Sequence, residues 1–232
     1  QVLMMTTRQK VRRAIILVSF LLFPITLDYF SPYIIINGAS QGIIAGSFII
    51  FSRLFLFSLF FGRVWCGWVC TGTGLQEPGF GVSNKKARGG KFNWIKYFIW
   101  VPWIGIIVVA AVSAGGFRKI NPLHMRETGI SVAEPANYMM YFTIVGSVVI
   151  LSFTAGKRAF CHYGCWMAPF VIIGTKIKSW VRWPSLKLVA ATDKCKQCST
   201  CEKNCPMSLG VRKMVQGGSM DNTECILCGT CV

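Results

Sequence analysis

The chain has 232 residues, 53% of them hydrophobic and only 14% charged, yet its formal net charge is +17. Soluble globular proteins carry about 25% charged residues, which argues against a soluble enzyme, and the apolar content is far above that of disordered chains. A nucleic-acid binder can be this basic but has no need of 17 Phe, whereas a membrane protein accounts for both the apolar content and the charge.

Crossing a hydrocarbon core of roughly 30 Å takes about 20 apolar residues, and four stretches qualify. The first, 14–36, contains Pro24, which predicts a kink, and Asp28, which needs an interface or a partner. The second, 41–61, follows a turn at Asn37-Gly38, with Ser40 as its N-cap. The third and fourth are 94–114 and 136–155, the last starting after Glu134-Pro135. No cleavage site follows the first apolar run, so it is not a signal peptide. Arg8, Lys10, Arg12 and Arg13 precede span one, Arg63, Lys85, Lys86, Arg88 and Lys91 follow span two, and Lys157 and Arg158 follow span four. The loop after span three holds only Arg118, Lys119 and Arg126. This asymmetry predicts both termini on the cytoplasmic side; a re-entrant 25–36 segment would reverse everything downstream.

Eleven cysteines form three patterns. An odd number grouped on the predicted cytoplasmic side argues for metal binding over disulfides, because that compartment is reducing. Cys195-x2-Cys198-x2-Cys201-x3-Cys205-Pro206 is the bacterial ferredoxin run for 4Fe-4S clusters, and zinc knuckles do not use four cysteines in this order. Cys225-x2-Cys228-x2-Cys231 repeats its first three positions. In two-cluster ferredoxins the fourth Cys of each run serves the other cluster, so Cys205 completes the set of Cys225, Cys228 and Cys231. Cys195, Cys198 and Cys201 then call for a twelfth Cys beyond Val232, or else a three-iron or labile cluster. The third pattern is a pair of pairs, Cys66-x3-Cys70 and Cys161-x3-Cys165, each just past the end of a span. Spacing of i and i+4 predicts each pair on one helical face. Two crossings separate the pairs, so they share a membrane face and suit a further cluster or another soft metal; the alternative is small buried Cys packing helix ends.

With these residues in view, the chain resembles the membrane polyferredoxin family of the NapH type, and is similar to the C-terminal part of NosR and to the CcoG assembly proteins. The resemblance runs through the four spans, the segment Phe61-Gly62-Arg63-Val64-Trp65-Cys66-Gly67-Trp68-Val69-Cys70, the Cys161–Cys165 pair and the ferredoxin run. The family writes its pairs as CxxxCP, whereas Thr71 and Trp166 occupy the proline positions here. The resemblance implies an electron-transfer subunit of quinol dehydrogenase type. It would relay electrons between the quinone pool and an iron-sulfur or haem partner, without substrate chemistry of its own, and metal-assembly, copper-reducing or regulatory roles occur in the same family.

Arg53 lies inside span two, where a charge points to a quinone or cluster-adjacent site or to a structural pairing with Asp28. His162, within the second CxxxC segment, is a candidate ligand or proton conductor, and His124, near Arg126 and Glu127, reads as solvated. Without CxxCH, haem on this chain has little support. The basic run 84–91 suits an anionic leaflet rather than nucleic acid. Residues 171–183, with Lys176, Lys178, Arg182, Trp180 and Trp183, read as an interfacial amphipathic helix ended by Pro184.

The expected architecture is thus an all-α membrane protein with a four-transmembrane-helix bundle over 1–165, an amphipathic linker helix over 166–187 and a two-cluster ferredoxin-type module over 188–232. It would sit in a prokaryotic cytoplasmic membrane with its clusters on the cytoplasmic side. Lipid, quinone and other redox subunits are the expected partners.

Overall fold

A computed structural model describes residues 6–81, 84–125, 129–133, 135–182 and 184–232. Arg126, Glu127, Glu134 and Trp183, named above, lie outside them.

The first apolar stretch is bent beside Pro24, as expected, and the bend is a full break between helices. Helix α1 (Thr7–Leu21) is followed by a short helix α2 (Phe23–Thr26) and a 3-10 turn (Leu27–Phe30), bent together by 56° from α1. Pro24 sits in the first turn of α2, where its missing N–H costs nothing, so the bend falls just before it. Pro32 likewise opens α3 (Pro32–Ser40). Ser40 ends α3 and caps nothing, because 43–45 becomes strand β1 (Ile43–Ala45) before helix α4 (Gly46–Phe61) begins. Strand β1 pairs in parallel with β2 (Lys119–Asn121), Ile44 opposite Ile120, so the fold is not wholly α-helical.

Short helices α5 (Val64–Trp68) and α6 (Thr71–Gln76) follow α4. Next come α7 (Ile95–Ser113) and α8 (Pro135–Ala155), then α9 (Ala159–Tyr163) and α10 (Ala168–Val181), and finally α11 (Thr200–Asn204) and α12 (Val211–Gln216). Among the described residues two helices, over Gly90–Ser113 and Asn137–Ala155, are long and apolar enough to cross a membrane, and four are if each bent pair forms one span. Side chains such as Phe98, Val109, Val112, Met139 and Phe142 point outward along α7 and α8, an apolar surface far larger than water tolerates.

Helix α10, within the expected 166–187 linker, is more buried than a surface helix. It begins at Ala168 and packs along α4, burying Ala168, Val171, Ile172, Gly174 and Thr175. A Cβ on Gly174 would meet Ser58 Oγ at 1.8 Å and the Phe55 carbonyl at 3.1 Å, so two small residues set the separation of the two helices. Only Ile177, Trp180 and Val181 keep the outward apolar face that an interfacial helix would show.

Candidate metal centre and its surroundings

Each CxxxC pair spans a break between two helices and not the face of one. In the first arm α5 ends at Trp68 and Cys70 caps α6; in the second α9 ends at Tyr163 and Cys165 precedes α10. The same wide turn closes both, with Cys70 N–H donating to the Trp65 carbonyl at 3.0 Å and Cys165 N–H to the Phe160 carbonyl at 2.9 Å. No proline is needed to end these helices, since the i to i−5 bond already breaks the α-helical register.

The two arms meet. Cys66 and Cys161 lie in one buried cluster, and Cys70, Cys161 and Cys165 line one cavity. Cys66, Cys161 and Cys165 are buried. Gln76 Nε2 donates to Cys161 Sγ at 3.3 Å, and Thr73 Oγ1 to the Cys66 carbonyl at 2.7 Å. Hydrogen bonds to sulfur are a principal means of setting a cluster's potential.

A symmetry invisible to cysteine spacing alone surrounds this centre. Each arm carries Arg-x2-Cys-x3-Cys, as Arg63 before Cys66 and Arg158 before Cys161, and each arginine is fully buried beside a glutamate shared with a second base. Glu77 binds Arg158, and it also takes both guanidinium nitrogens of Arg12, at 2.8 and 2.9 Å. Glu224 takes Arg63 at 2.7 Å and Lys96 at 2.5 Å. Burial pushes the Glu224 carboxyl up, but Arg63 and Lys96 outweigh it and hold it below its ordinary range. Arg158 Nη1 also donates to the Cys66 carbonyl at 3.0 Å, and Arg12 Nη1 to that of Gly67 at 3.0 Å. In the sequence Arg12, Arg63 and Arg158 count toward sidedness and Lys96 does not stand out; the repeated Arg-x2-Cys and the scarcity of acids, eight in all, were the available signals.

The C-terminal segment sits directly on the first arm. A Cβ on Gly67 would meet the Ile226 carbonyl at 2.3 Å. Trp68 Nε1 donates to the Leu227 carbonyl at 3.1 Å, Gln9 Nε2 to that of Cys228 at 2.9 Å and Arg8 to that of Gly229 at 2.7 Å. Cys66, Cys161, Leu54, Val171, Met207, Ile226 and Cys228 form one buried cluster across this junction.

Cys205, Cys225, Cys228 and Cys231 line one apolar cavity with Pro206, Met207 and Ile226. Burial, and then the Cys228, Cys225 and Cys205 sulfurs, push the Cys231 thiol up to about 11. Thiols held this way ionise only with added positive charge, which iron supplies on binding. The two Cys-x2-Cys-x2-Cys loops share their backbone too. Gln197 and Leu227, each two residues past the first Cys, have φ of 53° and 50°, and Ser199 and Gly229, after the second Cys, have 58° and 67°. Left-handed non-glycine residues cost about 1–3 kcal/mol each and concentrate at functional sites. Cys198 is exposed and Cys195 and Cys201 partly buried. Among the described residues no three Cys, His, Asp or Glu side chains close on a single-ion position.

Other predicted residues fall elsewhere. Arg53 is exposed on α4 and forms no ion pair among the described residues, so the pairing with Asp28 is not made. His162 is buried, with Nδ1 at 2.9 Å from Asn93 Oδ1, and burial pushes it down to about 4, leaving the ring neutral at pH 7. His124 Nε2 lies 2.8 Å from Asn37 Oδ1. The basic run is partly built into the structure: Ala87 is buried, Lys86 pairs with Glu202 at 3.0 Å, and Tyr163 Oη donates to the Arg88 carbonyl at 2.6 Å.

A second cavity, of about 250 Å³, opens behind the four-cysteine centre. Cys70, Cys161 and Cys165 form one wall, and Phe23, Leu27, Leu75, Met140, Ile144 and Val148 the apolar remainder, with Asp28 and Ser31 among its few polar groups. Sequence gave no sign of it, because its walls come from five separate segments.

The profile of the 4Fe-4S binding domain family matches residues 44–89 and 136–175, which are the two Arg-x2-Cys-x3-Cys arms with the helices that carry them. The chain is 21% identical over 217 residues to "Putative electron transport protein YccM" of Escherichia coli, covering 84% of this chain and 56% of that protein. It is 25% identical over 179 residues to the uncharacterized protein MJ0749 of Methanocaldococcus jannaschii, covering 74% of this chain and 60% of the other, and 22% identical over 189 residues to MJ0750 of the same organism, covering 75% and 69%. The chain thus spans little more than half the length of the first two relatives. No solved structure matches. Together these likenesses support iron-sulfur binding and electron transfer in general terms.

Proposed function

We propose that the chain is a membrane-anchored iron-sulfur protein that relays electrons between the quinone pool and a partner oxidoreductase. Cys66, Cys70, Cys161 and Cys165 would hold one 4Fe-4S cluster, and Cys205, Cys225, Cys228 and Cys231 a second. Cys195, Cys198 and Cys201 would contribute to another on the exposed side of the ferredoxin-type module. Bound clusters supply one-electron transfer, and the chain's own groups hold, bury and tune them. The positive bias in Lys and Arg supports a module on the cytoplasmic face.

The observation that carries this reading is the 250 Å³ apolar cavity with three cysteines in its wall, backed on the other side by the Ile226–Gly67 contact with the module. A lipophilic two-electron carrier fits that cavity, whereas hydrated Cu(II), the substrate of a metal-assembly reductase, would meet an almost wholly apolar lining. The site of quinone reaction moves accordingly from Arg53 to this cavity.

The test mixes anaerobically reduced protein with a short-chain quinone and follows cluster re-oxidation. Filling the cavity with Ile144→Trp should slow re-oxidation at least tenfold at unchanged iron content. Wild-type clusters that ignore quinone, or an Ile144→Trp variant as fast as wild type, would refute the reading.

A further inference from the structure

Four buried bases share two carboxylates beside the cysteine arms. The side chains of Arg12, Arg63, Lys96 and Arg158 are at most 4% exposed. Among the described residues the carboxylates they pair with are Glu77, for Arg12 and Arg158, and Glu224, for Arg63 and Lys96. Ion pairing therefore leaves two positive charges unbalanced in the interior. A buried charge is costly unless an opposite charge or a metal site answers it, so a surplus held there needs an anion close by.

The fold puts this surplus at the cysteines. Arg63 is the N-cap of α5 and Arg158 that of α9, and the third residue of each short helix is the first cysteine of its arm, Cys66 or Cys161. Arg158 reaches from its own arm to the other, its Nη1 donating to the Cys66 carbonyl at 3.0 Å, and Arg12 Nη1 donates to the next carbonyl, that of Gly67, at 3.0 Å. Two of the bases thus lie against the backbone that carries Cys66. The Nε atoms of Arg63 and Arg158 are both buried and have no hydrogen-bond partner among the described residues, so each arginine keeps a donor in reserve in the interior.

Resting on the iron-sulfur reading above, we infer that Arg12, Arg63, Lys96 and Arg158, with Glu77 and Glu224, form a charge frame whose surplus balances a cluster held by Cys66, Cys70, Cys161 and Cys165 and raises its reduction potential. A cubane bound by four thiolates carries two negative charges when oxidised and three after taking up one electron. The frame neutralises the first state and leaves one net negative charge in the second, in surroundings where unbalanced charge is far more costly than in water. The electron forms and breaks no bond and calls for no proton, because the arginines stay protonated throughout. The frame also makes a prediction of sign. Removing a base disfavours the reduced centre and removing a carboxylate favours it, although both changes break the same ion pair.

The experiment is a potentiometric titration of the anaerobically purified full chain, followed by electron paramagnetic resonance. The signal of the four-cysteine centre is the one missing from the Cys66→Ser, Cys161→Ser double variant. At the wild-type midpoint potential, Arg12→Gln and Arg158→Gln should each lower the ratio of reduced to oxidised centre at least tenfold, which for one electron is about 59 mV. Glu77→Gln should raise the ratio by at least the same factor, and the double variant Arg12→Gln, Glu77→Gln should return within threefold of wild type, as should Arg158→Lys. Lys96→Gln should lower the ratio from the side of the other carboxylate. Shifts of one sign for base and carboxylate variants alike, as loosened packing would give, or shifts under threefold throughout would overturn the charge frame. Loss of iron from Arg158→Lys as well as from Arg158→Gln would overturn it too, since the first keeps the charge. A wild-type spectrum that loses no centre in the double cysteine variant would instead overturn the cluster reading beneath it.

Discussion

Replacing Glu224 with Gln tests the joint between the cysteine arms and the C-terminal segment. The Glu224 carboxylate neutralises Arg63 and Lys96, whose side chains are 1% and 0% exposed, while its own is 13% exposed. Gln keeps the shape and removes the charge, leaving two buried cations with no anion. Breaking a buried pair from one side costs about 3–5 kcal/mol, against a total stability of about 5–15 kcal/mol for a domain. Because the pair joins the segment at 224 to residues at 63 and 96, the cost falls on docking, and about 3 kcal/mol shifts that equilibrium roughly 100-fold. Hydrogen exchange of amides in 211–229 should therefore accelerate on that scale, with exchange inside α7 and α8 unchanged. Glu202→Gln is the control: its partner Lys86 is 52% exposed, and such surface pairs are worth about 0–1 kcal/mol. Protection over 211–229 within threefold of wild type in Glu224→Gln would refute the claim that this triad holds the module down.

Further outcomes follow from single contacts. Gly67→Ala should displace the 226–229 loop, since its methyl has no room beneath the Ile226 carbonyl at 2.3 Å, and should abolish magnetic coupling between clusters detected by spin-relaxation measurements. Gly174→Ala should lower the melting temperature by crowding Ser58, and the double variant with Ser58→Ala should recover part of it, as only the Phe55 carbonyl and the Ser58 Cβ then remain close. Gln76→Leu removes the donor to Cys161 Sγ; potentiometric titration should show the potential of the four-cysteine centre falling, because a thiolate without a donor favours the oxidised cluster. Arg53→Leu should leave quinone-driven re-oxidation unchanged, since its exposed side chain lies outside the cavity lining.

The helices α7 and α8 were legible because long uninterrupted apolar runs leave little choice of structure, and their predicted bounds differ from the observed ones by at most one residue at each end. The cysteine spacing pointed to segments that the fold brings together, with Cys66, Cys161 and Cys228 in one buried cluster. What escaped depends on contacts between distant segments. Ile43-Ile44-Ala45 is apolar and continuous with α4, so only its pairing with Lys119–Asn121 reveals a strand. Residues 171–181 have an amphipathic pattern that suits a lipid interface, yet Gly174 and Ser58 let α10 and α4 approach closely, and packing prevails over the interfacial position. Arg63 and Arg158 looked like flanking charges obeying a topological bias; their burial becomes tolerable only through Glu224 and Glu77, from 161 and 81 residues away in sequence. Asp28 does not pair with Arg53; it lies at the cavity edge, with its backbone N–H held by Ser131 Oγ.

The central claim is that the two Arg-x2-Cys-x3-Cys arms together hold an iron-sulfur cluster between the apolar cavity and the module. Iron and acid-labile sulfide, measured per chain on anaerobically purified wild type and on the Cys66→Ser, Cys161→Ser double variant, test it most directly. The account predicts that the variant contains about four iron and four sulfide fewer, the content of one cubane, while the signals of the module's clusters persist. Equal iron in the two proteins would contradict it.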